Sequence, residues 1–162
     1  MTIRSATKEE MLSLWGYKDV NTASPTAIFF HNNISSGNTI FWTVEDDDEL
    51  IGELYVFKDL SDKDFADGTS TAYLCAFRVR EDYRGQGIGS KLLEHVLDDI
   101  KSKGFSKATI GVSPDEERNL KLYKSFGFNN KVKECYVDPC AMDDKMQPKK
   151  DSGFWLLEKE LY

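Results

Sequence analysis

Val79-Arg80-Glu81-Asp82-Tyr83-Arg84-Gly85-Gln86-Gly87-Ile88-Gly89-Ser90-Lys91-Leu92-Leu93 decides how this chain folds. Its first residues close a β-rich run from Thr71 to Arg80, its last residues open an amphipathic helix, and three glycines lie between. In that helix, expected from Gly87 to about Ser102, Ile88, Leu92, Leu93, Val96, Leu97 and Ile100 form one stripe. Lys91, Glu94, Asp98 and Asp99 point away from it, and Lys101, Lys103 and Gly104 supply cations and a left-handed stop at its end. Lys107 to Val112 alternates as the next strand. Strand, helix and strand in that order require a right-handed crossover, hence a parallel pair.

The glycines also bear on chemistry. A helix start presents unpaired amides and the positive end of its dipole, so the segment from Arg84 to Ser90 can hold a phosphate without a lysine. Glycine lets the backbone approach phosphate oxygens where a Cβ would collide. Two common phosphate motifs do not fit. The dinucleotide fingerprint would need glycine at Ser90, and the Walker pattern G-x-x-x-x-G-K-[ST] is absent. The plainer alternative is a tight turn without a ligand, and the flanking strand and helix argue against it.

The pattern that does match is R/Q-x-x-G-x-G/A. With its flanks, Val79 to Gly89 resembles the strand-loop-helix motif of the GNAT superfamily of N-acetyltransferases, with Glu81 where many members carry proline. A second stretch, Asn119-Leu120-Lys121-Leu122-Tyr123-Lys124-Ser125-Phe126-Gly127-Phe128, resembles that family's late helix. The resemblance runs from about Thr71 to Phe128. It implies a mixed α/β (α+β) sheet with antiparallel hairpins around one central parallel β-α-β crossover, in a single domain over residues 1–162. It also implies acetyl-CoA as co-substrate and acetyl transfer to a primary amine, with no metal.

By the same resemblance, Arg84, Gly85, Gln86, Gly87, Ile88, Gly89 and Ser90 hold the pyrophosphate. Phe77 and Val79 offer backbone contacts to the pantetheine arm, Asn119 contacts that arm, and Tyr123 is the general acid for the leaving thiolate. A phenol with a pKa near ~10 is protonated at neutral pH and suits that task. Asn119 and Tyr123 are four residues apart and share a helical face. The alternative for Tyr123 is an ordinary core aromatic. Many relatives carry a glutamate as proton acceptor on the strand Thr71 to Arg80, which here contains no acid. That gap keeps a second function open, a non-catalytic acyl-CoA-binding sensor or scaffold.

Glu53 on the adjacent strand is the candidate base, or else a solvated residue of one sheet face. Cys75 shares the face of Phe77 and Val79 by alternation, which allows an acyl-cysteine route, although free cysteines are usually buried and inert. Trp42, Tyr55 and Trp155 are core residues or acceptor lining, and His31 and His95 read as solvated.

The remaining elements follow from punctuation. Thr2 to Ala6 is a short strand, and Thr7-Lys8-Glu9-Glu10 is a capping box for a helix to Trp15. Ser24-Pro25 starts a helix to about Ser35, which Gly37-Asn38 ends. Thr39 to Val44 and Leu50 to Phe57 form a hairpin around five acids, and a polar connection runs from Lys58 to Ser70. Ser113-Pro114-Asp115-Glu116 has the form of a capping box for a helix to Phe126. Lys131 to Val137 and Phe154 to Leu161 are final strands on either side of a polar excursion, Asp138 to Gly153.

At 162 residues, 40% hydrophobic and 30% charged, the chain fits one soluble domain. A net charge of −7 argues against nucleic-acid binding, and no stretch has the length or apolarity of a membrane span or signal peptide. Three cysteines without metal spacing point to free thiols in a reducing cytoplasm, and two unpaired histidines to no metal centre. A homodimer is left open. Arg78 to Lys91 carries four cations and two acids, net +2, whereas Lys58 to Ser70 carries two cations and four acids, net −2. This segregation suits an anionic cofactor and a cationic amine acceptor, a small molecule or a peptide. Solvated surface is the alternative.

Overall fold

The computed structural model describes residues 1–162. Its elements in order are β1 (Thr2–Ala6), α1 (Lys8–Leu14), α2 (Pro25–Ser36), β2 (Thr39–Asp46), β3 (Glu49–Phe57), β4 (Thr71–Val79), α3 (Ile88–Ser102), β5 (Lys107–Val112), α4 (Glu117–Ser125), β6 (Asn130–Met142) and β7 (Pro148–Glu160). The seven strands make one sheet in the order β1-β2-β3-β4-β5-β7-β6, in which β4 and β5 are the parallel pair. The expected mixed sheet with one central crossover is the observed fold.

Each face of the sheet buries its own cluster. On one, the α3 stripe packs with Leu54, Val56, Leu74, Ile110 and Phe128, at roughly 1.5–3 kcal/mol per fully buried large apolar side chain. On the other, α1 and α2 bring Met11, Leu12 and Phe30 onto Phe41, Tyr55 and Phe57. There Phe41 stacks on Tyr55 at 4.7 Å and Phe30 stands edge-on to Tyr55 at 5.1 Å. No helix is long and apolar enough to cross a membrane.

The start of α1 matters because its C-cap, Trp15, belongs to the site described below. The expected capping box is formed: Glu10 N donates to Thr7 Oγ1 at 3.1 Å, and Thr7 N donates to Glu10 Oε1 at 3.1 Å. Arg4 Nη2 also donates to Glu10 Oε2 at 2.7 Å. The Arg4 guanidinium first, then the Thr7 amide, hold the Glu10 carboxyl down at about 2 against an ordinary 4.5. A depressed carboxyl contributes stability above its unfolded pKa, and that contribution is lost as pH falls through the folded one. Glu10→Gln should therefore lower stability by about 1 kcal/mol at neutral pH. It should also flatten the loss of Tm between pH 4.5 and pH 2; parallel melting curves for both proteins across that range would refute the assignment.

Two expectations need correction. The segment Asp138 to Gly153 is not an excursion but the far half of a long β6–β7 hairpin. β5 stops at the Val112↔Trp155 pair, so the hairpin projects past the sheet; β6 buries Pro139, Cys140 and Met142 there while β7 from Lys149 to Ser152 is exposed, which hides its period. Met142 N donates to Thr26 Oγ1 at 3.0 Å and docks the hairpin on α2. The Ser113 capping box is only half made. Ser113 N donates to Glu116 Oε1 at 3.1 Å, but the carboxylate also takes Asn119 Nδ2 at 2.9 Å, and α4 begins at Glu117 with Glu116 as its N-cap.

Candidate active site

β4 and β5 pair from Thr71↔Lys107 to Leu74↔Ile110 and then part, although β4 runs on to Val79 and β5 to Val112. The cause is an extra residue in β4. Glu53 pairs with Arg78 and Tyr55 with Cys75, three steps against two, and Ala76 takes a left-handed φ of 52°. A bulge of this kind bends its strand. It also breaks the alternation expected for residues 75, 77 and 79. Cys75 packs with the α1–α2 cluster, whereas Phe77 and Val79 pack with the α3 cluster, so the shared face read from spacing does not exist.

The parting opens a groove of about 830 Å³ over the start of α3. Phe77, Val79, Arg84, Gly85, Gly87, Ile88, Gly89, Ser90 and Asn119 all line it, and of the expected cofactor residues Gln86 alone is outside the lining and exposed. Gly85 and Gly87 sit at φ 80° and 76°, and Gly87 is the N-cap of α3 with no side-chain cap. The first-turn amides therefore face the groove without a side-chain acceptor. A Cβ at Gly89 would lie 3.2 Å from Phe77 Cζ, so the helix start is drawn tightly against β4. Arg84 Nε donates to Val79 O at 2.9 Å and closes the turn.

The acidic β2–β3 connection secures this loop. Tyr83 Oη donates to Asp46 at 2.8 Å, and Arg80 bridges Glu49 at 2.8 Å and Asp82 at 2.7 Å. The acids of the next connection also have internal partners. Asp62 and Asp64 hold Lys133 at 2.7 and 3.0 Å, and Asp67 accepts the amides of Thr69, Ser70 and Thr71. These segments are structural clamps.

The opposite lip of the groove is the end of the β5–α4 connection and the start of α4, Asp115 to Arg118, with Leu122. Spacing within the chain did not single these residues out; the parallel pairing of β4 and β5, which brings their two following loops side by side, is the signal that finds them. Uncapped amides, a left-handed glycine turn and the cations Arg84 and Arg118 fit a pyrophosphate.

Tyr123 lies just behind the lining, buried, with its ring 6.4 Å from Phe77 and 6.3 Å from Phe128. Its hydroxyl has no protein partner yet is not sealed from solvent. Burial first, and then the Glu116 carboxylate, push it above the ordinary tyrosine range, so it stays protonated.

Glu53 is on the other face of the sheet and is buried, not solvated. Its Oε1 accepts from Trp15 Nε1 at 2.8 Å and from Tyr55 Oη at 2.9 Å, and its Oε2 faces Arg78 Nε at 3.7 Å. The Tyr55 phenol is raised by burial first and then by this carboxylate. Trp15, absent from the candidates, is the residue the sequence hid, since it meets Glu53 across 38 positions. Of the other aromatics, Trp42 packs with the α3 cluster beside exposed His95, and Trp155 lies half-buried under Lys131.

The Acetyltransferase (GNAT) family profile matches residues 5–128. The chain belongs to this family. Among GNAT relatives, it is 30% identical over 97 residues to the probable N-acetyltransferase camello of Xenopus laevis, covering 60% of this chain and 42% of that one. It is 36% identical over 58 residues to the [ribosomal protein bS18]-alanine N-acetyltransferase of Escherichia coli, covering 36% and 39%. The chain thus spans about two fifths of the length of these two relatives. The fold of a GNAT acetyltransferase from Elizabethkingia anophelis with acetyl-CoA bound superposes with a TM-score of 0.63 at 20% identity, over 98% of this chain and 97% of that one.

Proposed function

We propose that this GNAT protein is an N-acetyltransferase that moves the acetyl group of acetyl-CoA to a primary amine by direct attack. The observation that carries the reading is the uncapped start of α3, with its left-handed Gly85 and Gly87, opening onto the gap between β4 and β5. Acetyl-CoA supplies the thioester. The first-turn amides of α3 take its pyrophosphate. The backbone of Phe77 and Val79, free of β5, takes the pantetheine arm and polarises the thioester carbonyl.

Glu53 accepts the proton that the attacking amine gives up, while Trp15 and Tyr55 fix its carboxylate in place. As the carbon–sulfur bond breaks, Tyr123 gives its proton to the leaving sulfur from the other side of β4. The amine nitrogen adds to the carbonyl carbon to give a tetrahedral intermediate, which re-forms the carbonyl as the carbon–sulfur bond breaks, so the base serves the entering nitrogen and the acid the leaving sulfur.

Thiol release from acetyl-CoA across a panel of primary amines tests this. Binding of acetyl-CoA without release for any amine would replace the enzyme by an acyl-CoA-binding module. Glu53→Gln keeps an acceptor for both donors and removes the base, so kcat should fall by ~10²-fold or more while the KM for acetyl-CoA holds. An unchanged kcat would leave the proton to water. The acidic connections supply little reason for a cationic acceptor, because Asp46, Glu49, Asp62, Asp64 and Asp67 are engaged within the protein.

A further inference from the structure

The surroundings of Glu53 do supply one. Its Oε1 already holds two donors, so Oε2 is the oxygen left for a ligand. The half-buried Trp15 ring beside it is set by Phe30 at 5.0 Å and Tyr55 at 5.8 Å as well as by its own N–H bond. An ordered indole face next to a recessed carboxylate, 12% exposed, is a site for a cation. One is present. The Arg78 guanidinium lies 5.6 Å from the Trp15 ring centroid and 3.7 Å from Glu53 Oε2.

Arg78 is a poor occupant. At 3.7 Å it makes no hydrogen bond to Oε2, and its side chain is 59% exposed. A long contact without a hydrogen bond, made by an exposed arginine, holds that cation weakly and gives way to a closer competitor.

We propose that the Trp15 face and Glu53 Oε2 form the subsite for the acceptor's ammonium group, and that Arg78 fills it internally until the acceptor displaces it. The inference rests on the acetyltransferase reading for its role, though not for its existence. A primary alkylammonium is smaller than a guanidinium and carries three donors, so it reaches Oε2 closely where Arg78 does not. It arrives charged, and the carboxylate that binds it is the one that takes its proton. Neutral and anionic head groups are refused by the same carboxylate. Arg78 therefore sets a threshold that an acceptor must overcome, which makes it a specificity residue.

The test titrates n-butylammonium while following the Trp15 indole N–H proton by NMR, with Trp15→Phe identifying the resonance and n-butanol as the neutral control. In Arg78→Ala the resonance should move at about tenfold lower n-butylammonium than in the wild type, and n-butanol should move neither. The acceptor KM should fall by a similar factor, with the KM for acetyl-CoA determined separately. An equal or higher midpoint in Arg78→Ala, or an equal response to n-butanol, overturns the subsite. Absence of acetyl transfer to any amine, with the titration as expected, would instead overturn the enzyme reading and leave the cation site standing.

Discussion

Gly87→Val should remove the thermal stabilisation that acetyl-CoA gives the wild type, about 2.7 kcal/mol at a hundred times its Kd. Gly87 holds φ 76° at the N-cap of α3, and nothing lies within 4 Å of where its Cβ would be. The free protein thus has room for the side chain and is penalised through backbone conformation alone, by about 1–2 kcal/mol. Valine is β-branched and tolerates the left-handed region worst, so the turn must reshape and the first-turn amides lose their common aim. Gly89→Val acts differently, because its Cβ would meet Phe77 Cζ at 3.2 Å and push the helix from β4. The pair of variants separates aim from position. Melting with and without millimolar acetyl-CoA reads both. A full shift in Gly87→Val would detach the loop from cofactor binding, and no shift in the wild type would end the proposal.

Tyr123→Phe should lower kcat by ~10²–10⁴ and leave the affinity for acetyl-CoA close to that of the wild type. The substitution keeps the ring that packs near Phe77 and Phe128 and deletes a hydroxyl with no protein partner. Stability should therefore move by less than about 1 kcal/mol, because no hydrogen bond is broken. That combination discriminates, since a purely packing role predicts no change in either quantity. A kcat within threefold of the wild type would return Tyr123 to the core, where its burial already places much of it.

The strongly periodic parts of this protein were legible before any coordinates. The α3 stripe, the glycines before it and the strand after it are local patterns, and the crossover rule turns them into the parallel β4–β5 pair. What stayed hidden was set by contacts distant in the chain or by conformation that composition does not mark. Nothing in Cys75-Ala76-Phe77 announces a left-handed alanine, yet that one residue reassigns Cys75 to the α1–α2 side and opens the groove. Trp15 and Glu53 meet only once α1 lies across the sheet. The half-solvated hairpin from Asp138 to Gly153 lacks the apolar alternation by which strands are recognised. The acidic runs were visible, but their partners Arg80, Tyr83 and Lys133 were not.

The extra residue in β4 turns a partition into a doorway. A continuous hydrogen-bonded ladder keeps the two sides of a sheet apart, so reactants held on opposite sides could never touch. Where β4 and β5 separate after Leu74 and Ile110, the barrier has an opening about as wide as a missing strand pairing. The uncapped helix start lies on one side, and the α1–α2 pair with the docked β6–β7 arm lies on the other. The family match ends at Phe128, before that arm begins. The arm that walls the α1–α2 side of the doorway thus lies wholly outside the matched residues.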